Sequence, residues 1–530
     1  MGMKGAILAC RDQEALAREL RRIVDAILAG EVKTEADLES RKKDASSRLR
    51  LPSLPSNADI LGAARPEERA RLQMLVRKPT RTLSGVAVIA AMTSPARCPH
   101  GTCVPCPGGI SCTSPQSYTG REPAALRAAQ HNFGPYEQTA ARLAQLYEIG
   151  HSLDKSELII MGGTITSRPL GYQHWFIKRC LQAMNDFPIV VAGSRKWQSF
   201  SDVAVANETA LARNVGTTFE TRPDWCGPKD IENMLLLGAT KVELGVQSTR
   251  DDLLRAMSRG HTVEDSVRAN RDLREAGLKV GFHMMPGLPG SSPEKDLEVF
   301  SELFSDSRFR PDYLKIYPTL VVEGTELFRR YQSGEYKPLG DGEAARLVSR
   351  IKAMLPAYVR LQRVQRDIPA HLIVAGVKKS NLRQLARQDL LSHGGSCRCI
   401  RCREAGLRGI VEVDVSLKHE VYDACGGEEH FLSIEGEDDT LVGFLRLRLG
   451  SGSCARAREL HVYGPMVPIG TRKDGWQHRG YGAKLVETAE ALAADEGYDR
   501  LEITSGIGAR GYYRRLGYEL VGPYMGKSLK

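Results

Sequence analysis

Short apolar runs recurring between longer amphipathic stretches dominate the middle of the chain. Val86 to Ala91, Glu157 to Met161, Gly216 to Glu220, Lys241 to Gly245, Val280 to Met284, Tyr313 to Tyr317 and Val359 to Val364 read as strands, and Thr262 to Ala276 and Glu294 to Phe304 carry helical spacing. This alternation predicts successive βα units, about six or seven, around a parallel sheet: a partial TIM-like barrel whose active groups sit at the C-terminal strand ends. From about Gly409 the pattern changes. Antiparallel strands are expected at Ile410 to Ser416, His430 to Glu435 and Leu441 to Leu449, then a strand from Ala457 to Gly464, a helix from Tyr481 to Asp495 and a strand from Leu501 to Ser505, an α+β domain. Ahead of the barrel there is no strand character. Leu16, Leu20, Ile23, Val24 and Ile27 fall at helical spacing, and Pro66 to Val76 predicts another helix. The expected organisation is a helical basic region at 1–81, the barrel at 82–385, a cysteine-rich linker at 386–408 and the α+β domain at 409–530.

Composition narrows the class. No apolar run reaches the length of about 18 residues that a membrane span needs, and Arg11, Asp12, Glu14, Arg18 and Glu19 leave no signal-peptide core, so a cytoplasmic protein is expected. The net charge of +10 suits a polyanionic partner such as nucleic acid or, equally, a solvated basic surface. Arg41, Lys42, Lys43, Arg48, Arg50, Arg65, Arg69, Arg71, Arg77, Lys78 and Arg81 concentrate that charge in the first region, where they could grip phosphates.

Half of the 12 cysteines fall in two tight groups, which points to metals rather than structural disulfides. Cys98, Cys103 and Cys106 lie on a Gly/Pro-rich loop just after the first barrel strand. Three thiolates there can hold three irons of a [4Fe–4S] cluster and leave the fourth iron open to S-adenosylmethionine; the alternative is a structural zinc completed by Cys112 or His100. Gly162 and Gly163 after the second strand, with Glu220 and Gln247 at later strand ends, suit the amino-acid and ribose parts of that cofactor, although glycine pairs after strands also make plain turns. Lys315 and Tyr317 have inward parity on their strand, as does the polar stretch from Arg363 to Asp367. In the linker, Cys397, Cys399 and Cys402 can share one tetrahedral zinc, with His393, Cys425 or Cys226 as the possible fourth ligand, or stay free thiols. The segment Gln477-His478-Arg479-Gly480-Tyr481-Gly482, before a helix, makes a nest of backbone N–H groups for a pyrophosphate.

Two resemblances enter on these residues. The stretch from about 410 to 530, with Gln477 to Gly482 and Tyr512-Tyr513 before Leu516-Gly517-Tyr518, resembles a GNAT acetyltransferase domain, and 84–370 resembles a radical S-adenosylmethionine barrel. The two fused, with Ser117-Tyr118-Thr119-Gly120, Glu220 to Asp224 and Arg363 to Pro369, resemble the Elongator catalytic-subunit family in a stand-alone prokaryotic form. The resemblance implies a tRNA-modifying enzyme that places a carboxymethyl group on C5 of the wobble uridine, with acetyl-CoA as co-substrate. It implies that Cys98, Cys103 and Cys106 hold the cluster. It also implies acetyl-CoA contacts from Glu459, Leu460, His461, Val462, Trp476, Gln477, His478 and Tyr513, with Lys155 as a further one. Lys315, Tyr317, His461 and Tyr513 are the residues expected to line the place where base, thioester methyl and adenosyl radical meet. The competing readings are a protein lysine acetyltransferase on an inert barrel, which would not need the three-cysteine loop, and an RNA-binding assembly module, which would not need both chemical loops.

Overall fold

The computed structural model describes residues 10–78, 81–189, 198–410, 413–464 and 479–530. Strands β1 (Ala87–Met92), β2 (Lys155–Met161), β3 (Arg213–Thr221), β4 (Lys241–Gln247), β5 (Lys279–Met284), β6 (Tyr313–Ile316) and β8 (Arg360–Arg363) form one sheet in that order. Every pairing in it is parallel. The short β7 (Val321–Val322) and β9 (Ile373–Ala375) pair with each other outside it. Period-two alternation sorts the strand residues. On β4, Val242, Leu244 and Val246 join the apolar core, while Lys241, Glu243 and Gln247 face a cavity on the other side. On β5 and β6 the same division puts Val280, Phe282, Leu314 and Ile316 in the core and Lys279, His283, Tyr313 and Lys315 on the cavity. The inside of this curved sheet is therefore a polar bore instead of the aliphatic filling of a closed barrel.

The second sheet runs β10 (Val415–Ala424), β11 (Gly427–Gly436), β12 (Leu441–Leu449), β13 (Cys454–Val462), β14 (Arg500–Ile503), β16 (Tyr524–Ser528), β15 (Glu519–Val521). Its pairings are antiparallel except β13 with β14, which is parallel and lasts only from Cys454 to Ala457. Beyond Ala457 the two strands part, and Glu459 to Val462 turn to the cavity. Helix Tyr481–Asp495 packs Leu485, Val486, Ala489 and Ala493 on this sheet.

A buried ionic cluster joins the two sheets. Arg458, one residue before that cavity-facing segment, donates to both oxygens of Asp312 (2.7 and 2.8 Å) and to Glu429 (2.6 Å). Asp312 sits immediately before β6 and also accepts from Val280 N (2.8 Å). Arg274 pairs with Glu429 (3.0 Å) and Arg446 with Glu459 (2.9 Å). Arg274, Arg446, Arg458, Asp312 and Glu429 are all at most 1% exposed at the side chain. Removing one member of such a set strands a buried charge, at about 3–5 kcal/mol.

The N-terminal region corrects the expected helix at Pro66 to Val76, which is two 3-10 turns, Arg69–Arg71 and Gln73–Leu75. The buried Leu72 and Leu75 are three residues apart, which suits three residues per turn, and Arg69 pins the segment through Leu61 O (3.0 Å) and Tyr147 O (2.6 Å). The basic segment contains a helix the pattern did not predict, Glu35–Leu49, started by a Thr34/Asp37 capping box. Several of its charges are internally paired: Arg41 with Glu31, Lys42 with Glu39, Arg48 with Glu19. In the second domain, the strand expected at Ile410 to Ser416 begins at Val415 and runs to Ala424. This edge strand is mostly exposed, so its polar residues hid it.

Candidate active site

The loop after β1 is held by backbone bonds from Val104 N to Met257 O (2.9 Å) and from Leu327 N to Val104 O (3.0 Å). Its thiols already have donors. Arg259 reaches Cys103 Sγ at 3.7 Å, Gln116 Nε2 reaches Cys106 Sγ at 3.4 Å, and His100 Nε2 lies 3.1 Å from Cys103 Sγ. Burial pushes the Cys98 thiol up, against a hydrogen bond with Thr164. His100 is used on both ring nitrogens, since Arg222 contacts its Nδ1. Burial, then Arg222, lowers its pKa to about 4, so it supports Cys103 as a neutral ring. Cys112 is exposed, its thiol beside Ser111.

Among the described residues, two groups of ligand atoms draw within 4.8 Å of one another, and this loop is not one of them. Such wider spacing fits a multi-iron cluster better than a single ion. Arg259 Nε and Gln247 Oε1, of residues on the cavity wall, are buried and unbonded, as is His261 Nδ1 two residues beyond Arg259. Gln247 also holds φ +71°, a conformation costly for a non-glycine residue. Donors aimed at thiolates and an orphaned amide on the wall together suit a cluster with a polar ligand beside it.

The bore beyond is built around Lys315. Its ammonium bonds Glu220 Oε1 (2.9 Å) and Glu243, which also meets His283 Nε2 (2.9 Å). Glu220 Oε2 accepts from Tyr118 (3.3 Å), and Tyr317 packs edge-on to His283. Burial alone would lower the Lys315 pKa, but Glu220 and Glu243 outweigh it and hold it well above the usual lysine range. Burial, then Lys315, keeps His283 neutral by lowering its pKa. Glu243, His283 and Tyr118 are site residues beyond those the sequence pattern names, although the inward parity of Lys315 extends to Glu243 on β4 and His283 on β5.

At the other end, burial lowers the His461 pKa, and its Nε2 lies 3.0 Å from Ser84 O. Burial opposes ionisation of Glu459, but Lys279 and then Arg446 bring its pKa to about 2. Gly480 takes φ +87° at the start of helix Tyr481–Asp495. A Cβ on Gly482 would stand 2.7 Å from Tyr512 Oη, so glycine lets the tyrosine approach. Trp476, Gln477 and His478 lie outside the described residues.

One cavity of about 2000 Å³ collects these parts. Its walls include Cys98, Gly163, Glu220, Gln247, Lys315 and Tyr317 from the barrel side, Lys155 at the start of β2, and Glu459, Leu460, His461, Val462, Gly480, Gly482, Tyr512 and Tyr513 from the second domain. Gly162 instead serves the turn: it has φ +115°, and a Cβ there would stand 2.4 Å from Thr93 Oγ1.

Away from the cavity, the Sγ atoms of Cys397, Cys399 and Cys402 lie within 4.8 Å of one another. None of the three expected fourth ligands joins them. Cys425 bonds Asn270 and Arg308 O, His393 bonds Asp389 O, and Cys226 is buried in the barrel core. Lys352 Nζ instead donates to Cys402 Sγ at 3.4 Å. Cys399 and Ile400 are fully buried, while Cys397 and Cys402 are partly exposed.

Parallel strands opening onto a three-thiol loop, joined to a mixed sheet that parts beside a helix N-terminus, define a radical S-adenosylmethionine barrel fused to a GNAT-type acetyltransferase. Family models match accordingly: the radical SAM superfamily at residues 92–303, the Radical_SAM C-terminal domain at 311–391, the acetyltransferase (GNAT) family at 408–518 and the ELP3 N-terminal domain at 16–83. The chain is 47% identical to the tRNA uridine(34) acetyltransferase of Methanocaldococcus jannaschii, over 96% of this chain and 97% of the relative. It is 41% identical to Elongator complex protein 3 of Homo sapiens, over 95% of each. The solved archaeal Methanocaldococcus infernus Elp3 with an N-terminal deletion superposes with TM-score 0.74 at 44% identity, covering 84% of this chain and all (100%) of that one. The chain belongs to the Elongator complex protein 3 family.

Proposed function

We propose that the protein modifies the wobble uridine of tRNA at C5, adding a carboxymethyl group derived from acetyl-CoA. The observation that carries this reading is the single cavity reaching from Cys98 to His461 and Tyr513, because a two-carbon unit can pass to a base only where the thioester, the radical source and the base meet. Cys98, Cys103 and Cys106 would hold a [4Fe–4S] cluster, and with S-adenosylmethionine bound it supplies a 5′-deoxyadenosyl radical able to take hydrogen from an unactivated methyl group.

The chain's own residues orient and protect. Gly163, Glu220 and Gln247 would bind S-adenosylmethionine, with Gly162 shaping their turn. The backbone of Glu459 to Val462, freed where β13 leaves β14, would receive the pantetheine arm, while Gly480 and Gly482, with Trp476, Gln477 and His478, would cradle the pyrophosphate. Lys155, Tyr512 and Tyr513 complete that side. Lys315, held charged by Glu220 and Glu243, would stabilise negative charge developing on the base, with Tyr317 beside it. His461, whose Nε2 bonds Ser84 O, would take a proton at Nδ1 from the water that cleaves the thioester. Cys397, Cys399 and Cys402 would hold a structural zinc, with Lys352 balancing the thiolate charge. The substrate makes this a cytoplasmic activity.

The test is anaerobic. Reconstituted protein with S-adenosylmethionine, acetyl-CoA, a reductant and bulk tRNA is expected to yield 5′-deoxyadenosine and a carboxymethylated uridine by mass spectrometry, and Cys103→Ala neither. Acetylated protein lysines without adenosyl cleavage would overturn the reading.

A further inference from the structure

Three cations of the bore are matched. Lys315 has Glu220 and Glu243, Lys241 has Glu157 (2.8 Å), and Arg360 has Glu404. At the open edge of β1 the accounting differs. Arg81 precedes β1, Arg127 lies in helix Pro123–Gln130 and Arg142 in helix Pro135–Glu148, and all three line the cavity. Arg127 donates to Ala90 O on β1 (2.9 Å), its Nε is buried without a partner, and Arg142 reaches only the neutral amide of Gln145 (2.7 Å). None of the three has a carboxylate within 4.0 Å among the described residues. Burial lowers the Arg127 pKa, and burial followed by repulsion from Arg127 and Arg81 brings that of Arg142 to about 10. Holding like charges together in a half-buried wall is unfavourable unless an anion comes to them.

We infer that Arg81, Arg127 and Arg142 form a phosphate-binding site on the cavity wall at the free edge of β1. A guanidinium presents paired donors that match phosphate oxygens, and these three, from separate elements, line one cavity. Given the proposed function, two substrates carry such a group: the RNA strand, through a phosphodiester beside the modified nucleotide, and acetyl-CoA, through its 3′-phosphate.

Two binding measurements on the full chain distinguish them. The first is bulk tRNA affinity over a salt series; the second is affinity for CoA against 3′-dephospho-CoA by calorimetry. Both compare wild type with Arg127→Gln/Arg142→Gln and with Arg127→Lys. If the site holds RNA, the double variant loses about 0.7–0.9 from the slope of log K against log salt, the amount for one phosphate contact, and Arg127→Lys retains most of it. If it holds CoA, the wild-type preference for CoA over the dephospho form disappears in the double variant. An unchanged slope together with an unchanged CoA preference would overturn the site. Should the double variant fail to fold, Arg81→Gln decides alone, because that side chain is exposed and unbonded; a slope lower by about 1, or a lost CoA preference, is then required. A wild type that binds no tRNA while the CoA preference responds to the variants would refute the tRNA reading and leave the phosphate site standing.

Discussion

Single side chains here are set by what surrounds them in the bore. Lys155 is a cavity residue whose pKa burial has lowered to about 8. If it meets an anionic part of acetyl-CoA, its charge favours binding below that pH and is lost as pH rises through it, so CoA affinity should fall between about pH 7 and 9. Lys155→Arg should flatten the profile, as calorimetry at several pH values would reveal. Lys315 presents the opposite case. Removing it in Lys315→Met leaves Glu220 without its cation and Glu243 with Lys241 alone (3.4 Å), at about 3–5 kcal/mol. One of the two then keeps a proton with a raised pKa, so the deficit is smaller at low pH and grows as pH rises through that value. Denaturant unfolding should find the variant closer to wild type at pH 5 than at pH 8, and an equal deficit at both would show that the two carboxylates do not share this charge. The sequence made the three-thiol loop and the cavity-facing Lys315 legible because their spacing and parity are local, whereas Glu459 to Val462 were expected at the site only through the family resemblance. Glu243 and His283 were obscured because the partners of each are on other strands.

At the level of elements, strand alternation was readable nearly throughout the barrel, and β12 and helix Tyr481–Asp495 match their expected limits. What failed were elements stabilised from outside themselves: the 3-10 turns pinned by Arg69 and the exposed edge strand β10. The seam between the two sheets is likewise invisible in sequence, since a glycine gives no sign of what it touches. A Cβ on Gly506 would lie 2.2 Å from Val215 C on β3, whereas one on Gly511 would meet nothing within 4 Å. Gly506→Ala should therefore destabilise the seam by about 1–3 kcal/mol through overpacking, seen as faster hydrogen exchange in β3, and Gly511→Ala should leave that exchange unchanged.

Across the whole molecule, the arginine-carboxylate cluster places β6 against β13, the strands that carry Lys315 and Glu459 to Val462. Counter-charges depress the carboxyls of Asp312, Glu429 and Glu459 in the folded state against the cost of burial. Their stabilisation is full above the unfolded carboxyl range of about 4 and is lost as pH falls through the lower folded values toward about 2. Small-angle scattering should find the lobes joined at pH 4 and parting below it, and Arg458→Met should move the parting to higher pH. No described helix is long and apolar enough to cross a membrane. The claim on which the account rests is that both halves act in one cavity, and isotope transfer tests it most directly. With deuterated acetyl-CoA, S-adenosylmethionine and tRNA, the 5′-deoxyadenosine formed should carry deuterium from the acetyl methyl group. Unlabelled 5′-deoxyadenosine formed alongside modified uridine would show that the radical never meets the thioester, and would contradict the account.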